Sequence, residues 1–85
     1  MKYGVSLIVR GEDAGPESFD AMAREAEALD FDTLWSSDHL VMMPMIHSKY
    51  PGTADGQMPE GWKRNYYQPF STLNYIAART SRIRV

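Results

Sequence analysis

The run Phe31-Asp32-Thr33-Leu34-Trp35-Ser36-Ser37-Asp38-His39-Leu40 passes from an apolar, β-prone centre (Leu34, Trp35) through two small hydroxyls to an adjacent acid and imidazole, with no Gly or Pro before that pair. This is the pattern of a buried strand with chemistry at its carboxyl end. In parallel α/β folds that end carries ligands and catalytic groups, because the loops there can vary while the sheet stays rigid. Asp38 and His39 are therefore site candidates. The plainer alternative is that His39 caps the strand and bonds a nearby carbonyl.

Working back towards the N-terminus, Phe19, Met22, Ala23, Ala26 and Leu29 recur at i, i+3, i+4, i+7 and i+10, a single apolar stripe that predicts a helix packed on the sheet. Pro16 suits its first position, where no N–H is needed, and Glu17 favours the positive end of the helix dipole. Asp20, Arg24, Glu25 and Glu27 lie mainly off the stripe and read as a wet face, with Asp20 and Arg24 spaced as an i, i+4 pair worth about 0.2–0.5 kcal/mol. Asp30 stands where a left-handed residue ends a helix. Further back, Tyr3 to Val9 is a near-continuous apolar, β-branched run, predicting a first strand covered on both faces. Between strand and helix, Arg10 to Gly15 is loop chemistry, and Glu12 and Asp13 are expected to be solvated there.

Towards the C-terminus, periodicity is lost from Leu40 to about Tyr67, a segment holding Pro44, Pro51, Pro59, three glycines, Met42, Met43, Met45, Trp62 and the Tyr66-Tyr67 pair. Loops this long are uncommon in compact domains and usually functional. This one is expected to form a lid over the Asp38-His39 edge, its Met and aromatic side chains either pinning the loop or touching substrate. His47 lies within it and alone is more often a surface residue than a ligand; no His-x-His or His-Glu-x-x-His run is present to make a metal site. Pro69 opens a second helix, with Phe70, Leu73, Ile76 and Ala77 as its stripe, running to about Arg79. Thr80 and Ser81 break it, and Arg82-Ile83-Arg84-Val85 alternates as a third strand. Arg79, Arg82 and Arg84 read as helix C-terminal charge and a solvated strand entrance. Strand, helix, strand, long loop, helix, strand is the alternation that specifies an α/β fold with a parallel sheet.

Composition narrows the function classes. With 44% hydrophobic residues in 85, the chain has the apolar share of a globular protein. A net charge of −2 offers no electrostatic argument for nucleic acid or an anionic membrane, and the dispersed arginines form no nucleic-acid patch, so the expected partner is a small molecule. Cysteine is absent, which removes disulfides and zinc–thiolate sites and leaves a cytoplasmic location as the default. The apolar run near the N-terminus is too short for a signal peptide or a membrane span.

Taken together, Phe31-Asp32-Thr33-Leu34-Trp35-Ser36-Ser37-Asp38-His39, the Tyr50-Pro51 and Asp55-Gly56 of the loop, and Pro69-Phe70 leading through Ala77-Ala78-Arg79-Thr80-Ser81-Arg82-Ile83-Arg84 make the chain resemble the N-terminal part of the bacterial luciferase-like monooxygenase family, in its deazaflavin (coenzyme F420) dependent branch. The resemblance implies a TIM (β/α)8 barrel whose cofactor, F420 or alternatively FMN, lies across the carboxyl mouth. It implies Asp38 and His39 as cofactor-proximal catalytic residues, with His39 as the proton-transfer group of an oxidoreductase that moves hydride between F420 and a small organic substrate. An imidazole near pKa 6.5 can exchange the accompanying proton at neutral pH. The chain departs from the family in having Asp30 where Gly is usual, and Gln68 where a Glu often precedes the Pro.

A whole barrel takes about 250 residues and eight strands, whereas this sequence predicts three strands and two helices. The expectation is accordingly a single, incomplete luciferase-like domain over residues 1–85, self-associating through open barrel edges. Two alternatives belong to other classes. One is a non-catalytic truncated paralogue acting as a binding or dimerisation module; the other is a metal-dependent hydrolase using His39, Asp38 and His47.

Overall fold

The computed structural model describes residues 1–85. Its elements are β1 (Gly4–Ser6), α1 (Pro16–Ala28), β2 (Thr33–Trp35), a 3-10 turn (Glu60–Lys63) and α2 (Pro69–Ala77). β1 and β2 form a two-stranded parallel sheet in the register Gly4–Thr33, Val5–Leu34 and Ser6–Trp35. The fold is thus a small α/β unit with two helices on a parallel sheet. No helix is long and apolar enough to cross a membrane.

Both helices take the local signals expected of them. Pro16 sits in the first turn of α1, and the Ser18 hydroxyl accepts from the Gly15 N–H at 3.0 Å and donates to the Gly15 carbonyl at 2.9 Å. At the other end Asp30 is left-handed, at φ 61°. The Phe31 N–H reaches back to the Ala26 carbonyl at 2.9 Å and the Asp30 N–H to Glu27 at 3.2 Å, the paired bonds that close a helix at such a residue. In α2, Pro69 follows Gln68, whose side-chain oxygen accepts from the Ser71 N–H at 2.7 Å. An amide caps this end as a carboxylate would, without the charge. The helix stops at Ala77, short of Arg79.

One face of the sheet meets the helices. Leu7, Val9 and Leu34 join Phe19, Ala23 and Ala26 of α1, Ile76 of α2 and Ile83 in a single buried cluster. The opposite face is bare, with Gly4, Ser6, Ile8 and Trp35 all exposed. The expectation that the first strand is covered on both faces is therefore wrong. Gly4 and Ser6 are small enough to let the Trp35 indole lie along that face, where a Cβ at position 4 would collide with its ring nitrogen.

Two strand assignments also change. Tyr3 to Val9 was expected to be strand throughout, yet the ladder is confined to Gly4–Ser6, because β2 ends at Trp35 and leaves only the Leu7 N–H bonded to the Trp35 carbonyl at 2.7 Å. Arg82 to Val85 is reduced to a parallel bridge between Arg84 and Thr33, so the expected third strand is missing as a strand. The cause is a competitor for its N–H groups. One Glu27 carboxylate oxygen accepts from the backbone N–H of Ser81, Arg82 and Ile83 at 3.0, 2.6 and 2.9 Å.

Of the off-stripe charges, Arg24 and Glu25 are exposed as expected, whereas Asp20 and Glu27 are half-buried and hold other segments. Asp20 accepts two bonds from Arg79 at 2.6 and 2.9 Å and one from Arg24 at 3.3 Å, tying α1 to the end of α2. Arg79 also lies over the Tyr75 ring, 4.8 Å from its centre. Arg82 pairs with Asp30 at 3.1 Å, and Arg84 pairs with Asp32, which also faces Lys2 at 3.5 Å. The bond from Arg79 holds Asp20 below the usual carboxylate range; the Ile83 and Arg82 amides do the same for Glu27, and Arg84 for Asp32. A carboxylate whose pKa is lower folded than unfolded adds stability above its unfolded pKa and loses it as pH falls through the folded one. Thermal melts are therefore expected to be flat above about pH 5 and to drop steeply below about pH 4. Glu27→Gln should shrink that acid-side drop; an unchanged pH profile in this variant would show that the carboxylate is not what holds Ser81–Ile83.

Candidate functional site

At the carboxyl end of β2 the chain runs straight into the residues singled out by their chemistry. The Ser37 hydroxyl is hydrogen-bonded to the Tyr66 hydroxyl at 2.9 Å. Tyr66 arrives from beyond the long loop, and its backbone is fixed by antiparallel pairing with the end of the β1 segment: Arg10 bridges Tyr66, the Tyr67 N–H bonds the Val9 carbonyl at 2.8 Å, and the Gly11 N–H bonds the Asn65 carbonyl at 3.1 Å. Tyr67 is anchored below by edge-on packing against Phe19, with ring centres 5.0 Å apart.

This return brings Tyr66, Tyr67 and Gln68 against Asp38 and His39, and with Leu40 they line a recess of about 280 Å³. The His39 imidazole stands beside the Tyr66 ring, centres 5.7 Å apart and planes inclined at 38°. Asp38 and His39 are both exposed. The side-chain hydrogen bonds of this turn belong to Ser36 and Ser37, and none joins the Asp38 carboxylate to the imidazole. The two candidates thus share a recess without forming a charge-relay pair. What fixes the imidazole's surroundings is Tyr66, held by Ser37.

The loop does not lie as expected. Leu40, Val41, Met43 and Met45 are exposed, and the methionines do not line the recess, so the Met-rich segment is not a lid over the Asp38-His39 edge. The segment that does close on that edge is the loop's far end, Tyr66–Gln68. Pinning falls to the aromatic residues: Trp62 packs edge-on with Tyr50, centres 6.1 Å apart, and lies under the Arg10 guanidinium at 4.2 Å. His47 is exposed in the loop, and no three His, Asp or Glu side chains are gathered in a way that could hold a metal ion. Beside the first recess a second, of about 470 Å³, opens between Arg10, Glu12, Asp13 and Trp62. A third, shallower one of about 510 Å³ lies along the bare sheet face over Ser6, Trp35 and Ser37.

Ser37 and Arg10 were not among the residues read from sequence as site candidates, and Tyr66 was read only as one of the loop aromatics that pin the loop or touch substrate. The signal for its place was its position two residues before the Gln68-Pro69 helix start. No known family model, curated protein or solved structure matches the chain.

Proposed function

We propose that the chain forms the cofactor-facing edge of a luciferase-like oxidoreductase that uses coenzyme F420, with FMN as the alternative, and that it contributes the opening strands of a barrel. The observation that carries this reading is the meeting of Asp38, His39 and Tyr66 in one recess at the carboxyl end of a parallel sheet, with the Tyr66 hydroxyl held by Ser37.

The residues fit a planar ring better than a whole nucleotide-sized molecule. A recess of about 280 Å³ lies just below the about 300–1,000 Å³ of ordinary ligand sites, and it offers an aromatic wall (Tyr66), an imidazole and a carboxylate. When bound, the deazaflavin would supply the carbon that gives or takes hydride. His39 would hold and release the accompanying proton at its ring nitrogen, as a positioned imidazole does in general acid–base catalysis. The Ser37–Tyr66 bond would keep the tyrosine ring in place beside it, so that the imidazole has one preferred stacking partner. Asp38 would add negative charge to the recess.

Titration of the isotope-labelled chain with F420 and, separately, FMN tests this by amide chemical shifts. Because the recess can hold only the ring, binding is expected to be weak, about millimolar, with shifts confined to Ser37–Leu40 and Tyr66–Gln68 and larger for F420. Shifts scattered over the surface, or none at millimolar cofactor, would sink the proposal. The reading as a non-catalytic association module is favoured by one observation, the exposed Ile8 and Trp35 on the bare sheet face. A spectrum that ignores both cofactors but broadens with protein concentration would put that reading in its place.

A further inference from the structure

The geometry points to Arg10 as a binding site for the carboxylate of a small organic anion. The chain has six arginines, and Arg24, Arg64, Arg79, Arg82 and Arg84 each pair with a carboxylate. Arg10 does not, although Glu12 and Asp13 follow it closely and line the same recess of about 470 Å³. Glu12 is turned to Arg64 instead, at 3.7 Å. The Arg10 guanidinium lies 4.2 Å from the Trp62 ring centre, and the residue is half-buried. The cation–π contact with the indole holds the guanidinium at the recess, and none of its N–H donors is taken by a carboxylate of the chain, so the fork is open to a planar oxyanion. That fork matches a carboxylate in two parallel hydrogen bonds.

Its location gives the site a use. Arg10 and Tyr66 are opposed in an antiparallel bridge, which sets their side chains on one face with Cβ atoms about 4.5–5.5 Å apart. Tyr66 leans to His39 and Arg10 to Trp62. Tyr66 thus links the two recesses, being opposed to Arg10 in the ladder and standing beside His39 at the other. Gly11, at φ 94°, makes the turn that lets the chain leave this edge immediately after Arg10. Calling the anion a substrate rests on the oxidoreductase reading above; its binding does not.

The test uses the labelled chain without cofactor, titrated with acetate, inorganic phosphate and neutral acetamide at constant ionic strength set with chloride. Acetate is expected to shift the Trp62 indole N–H and the Arg10 Nε–H saturably in the millimolar range, leaving the Trp35 indole unmoved. Arg10→Lys, which keeps the charge and the fold, should weaken acetate about tenfold by losing the fork. Arg10→Gln should abolish the shift, and Asp13→Asn should strengthen binding by removing a repelling carboxylate. An equal response to acetamide, no saturation, or undiminished binding in Arg10→Gln would overturn the site. Phosphate binding tenfold more tightly than acetate would overturn the carboxylate assignment in favour of a phosphate ester. Because F420 is absent, acetate binding by a chain that ignores F420 breaks only the oxidoreductase reading; the converse breaks only the anion site.

Discussion

If the oxidoreductase proposed above is what this chain serves, His39→Ala is expected to slow its turnover by about 10²–10⁴-fold, the usual loss when a positioned proton-transfer group is removed. Cofactor affinity should hardly change. The imidazole is exposed at the recess, inclined to the Tyr66 ring, so its removal takes away no buried side chain and leaves the Ser37–Tyr66 hydrogen bond in place. Turnover with saturating substrate, measured beside cofactor titration of the same variant, separates the two effects. Normal turnover in a folded His39→Ala protein would take the imidazole out of the mechanism. A large loss of cofactor affinity with little loss of rate would make it a binding group.

Leu34→Ala is expected to remove most of the chain's stability. Leu34 is 1% exposed and sits where β2 meets both helices. Truncating a buried leucine costs about 2–5 kcal/mol, the larger values applying where neighbours cannot collapse into the space. Here the neighbours are held by Pro-started helices and by the Glu27 clamp, which limits collapse. At about 0.05–0.15 kcal/mol per residue a domain of this size has about 4–13 kcal/mol in all, and the bare sheet face argues for the lower part of that range. A urea melt of Leu34→Ala beside the parent chain reads this directly. Midpoints within a few tenths molar of each other would mean that Leu34 does not centre the core.

The helices were legible because their signals are local. Pro16, the Phe19–Ala26 stripe and Asp30 all lie within one element, and so does Pro69; the stripe expected for α2 was misplaced, since Phe70 and Ala77 are exposed and the buried face is Pro69, Thr72 and Ile76. The end of β2 was legible for the same reason: Asp38 and His39 follow an apolar strand directly. The third strand was not, because the N–H groups of Arg82 and Ile83 are taken by Glu27, a carboxylate more than fifty positions away in the chain, and only Arg84 is left bridged to Thr33. The same distance hid Asp20's partner Arg79, and it made an ion-paired helix face look like a solvated one. Tyr66 could be named only as one of several loop aromatics, and its partner Arg10 not at all, because an aperiodic loop carries no register and nothing in it announces which residue returns to the sheet edge.

That aperiodic loop has an entropic side. Pairing Gly4 with Thr33 closes a chain segment of about 30 positions, while joining Thr33 to Arg84 closes one of about 50, the difference being loop. Closure entropy grows only as the logarithm of length, so the longer circuit costs about 0.5 kcal/mol more than the shorter. Lengthening or trimming the stretch between Leu40 and Asn65 is therefore almost neutral for the folded state, provided the Arg10–Tyr66 bridge that ends it is kept. The rim of the recess can be remodelled by insertion and deletion at nearly constant stability, which makes it the part of this fold most open to evolutionary drift in what it binds.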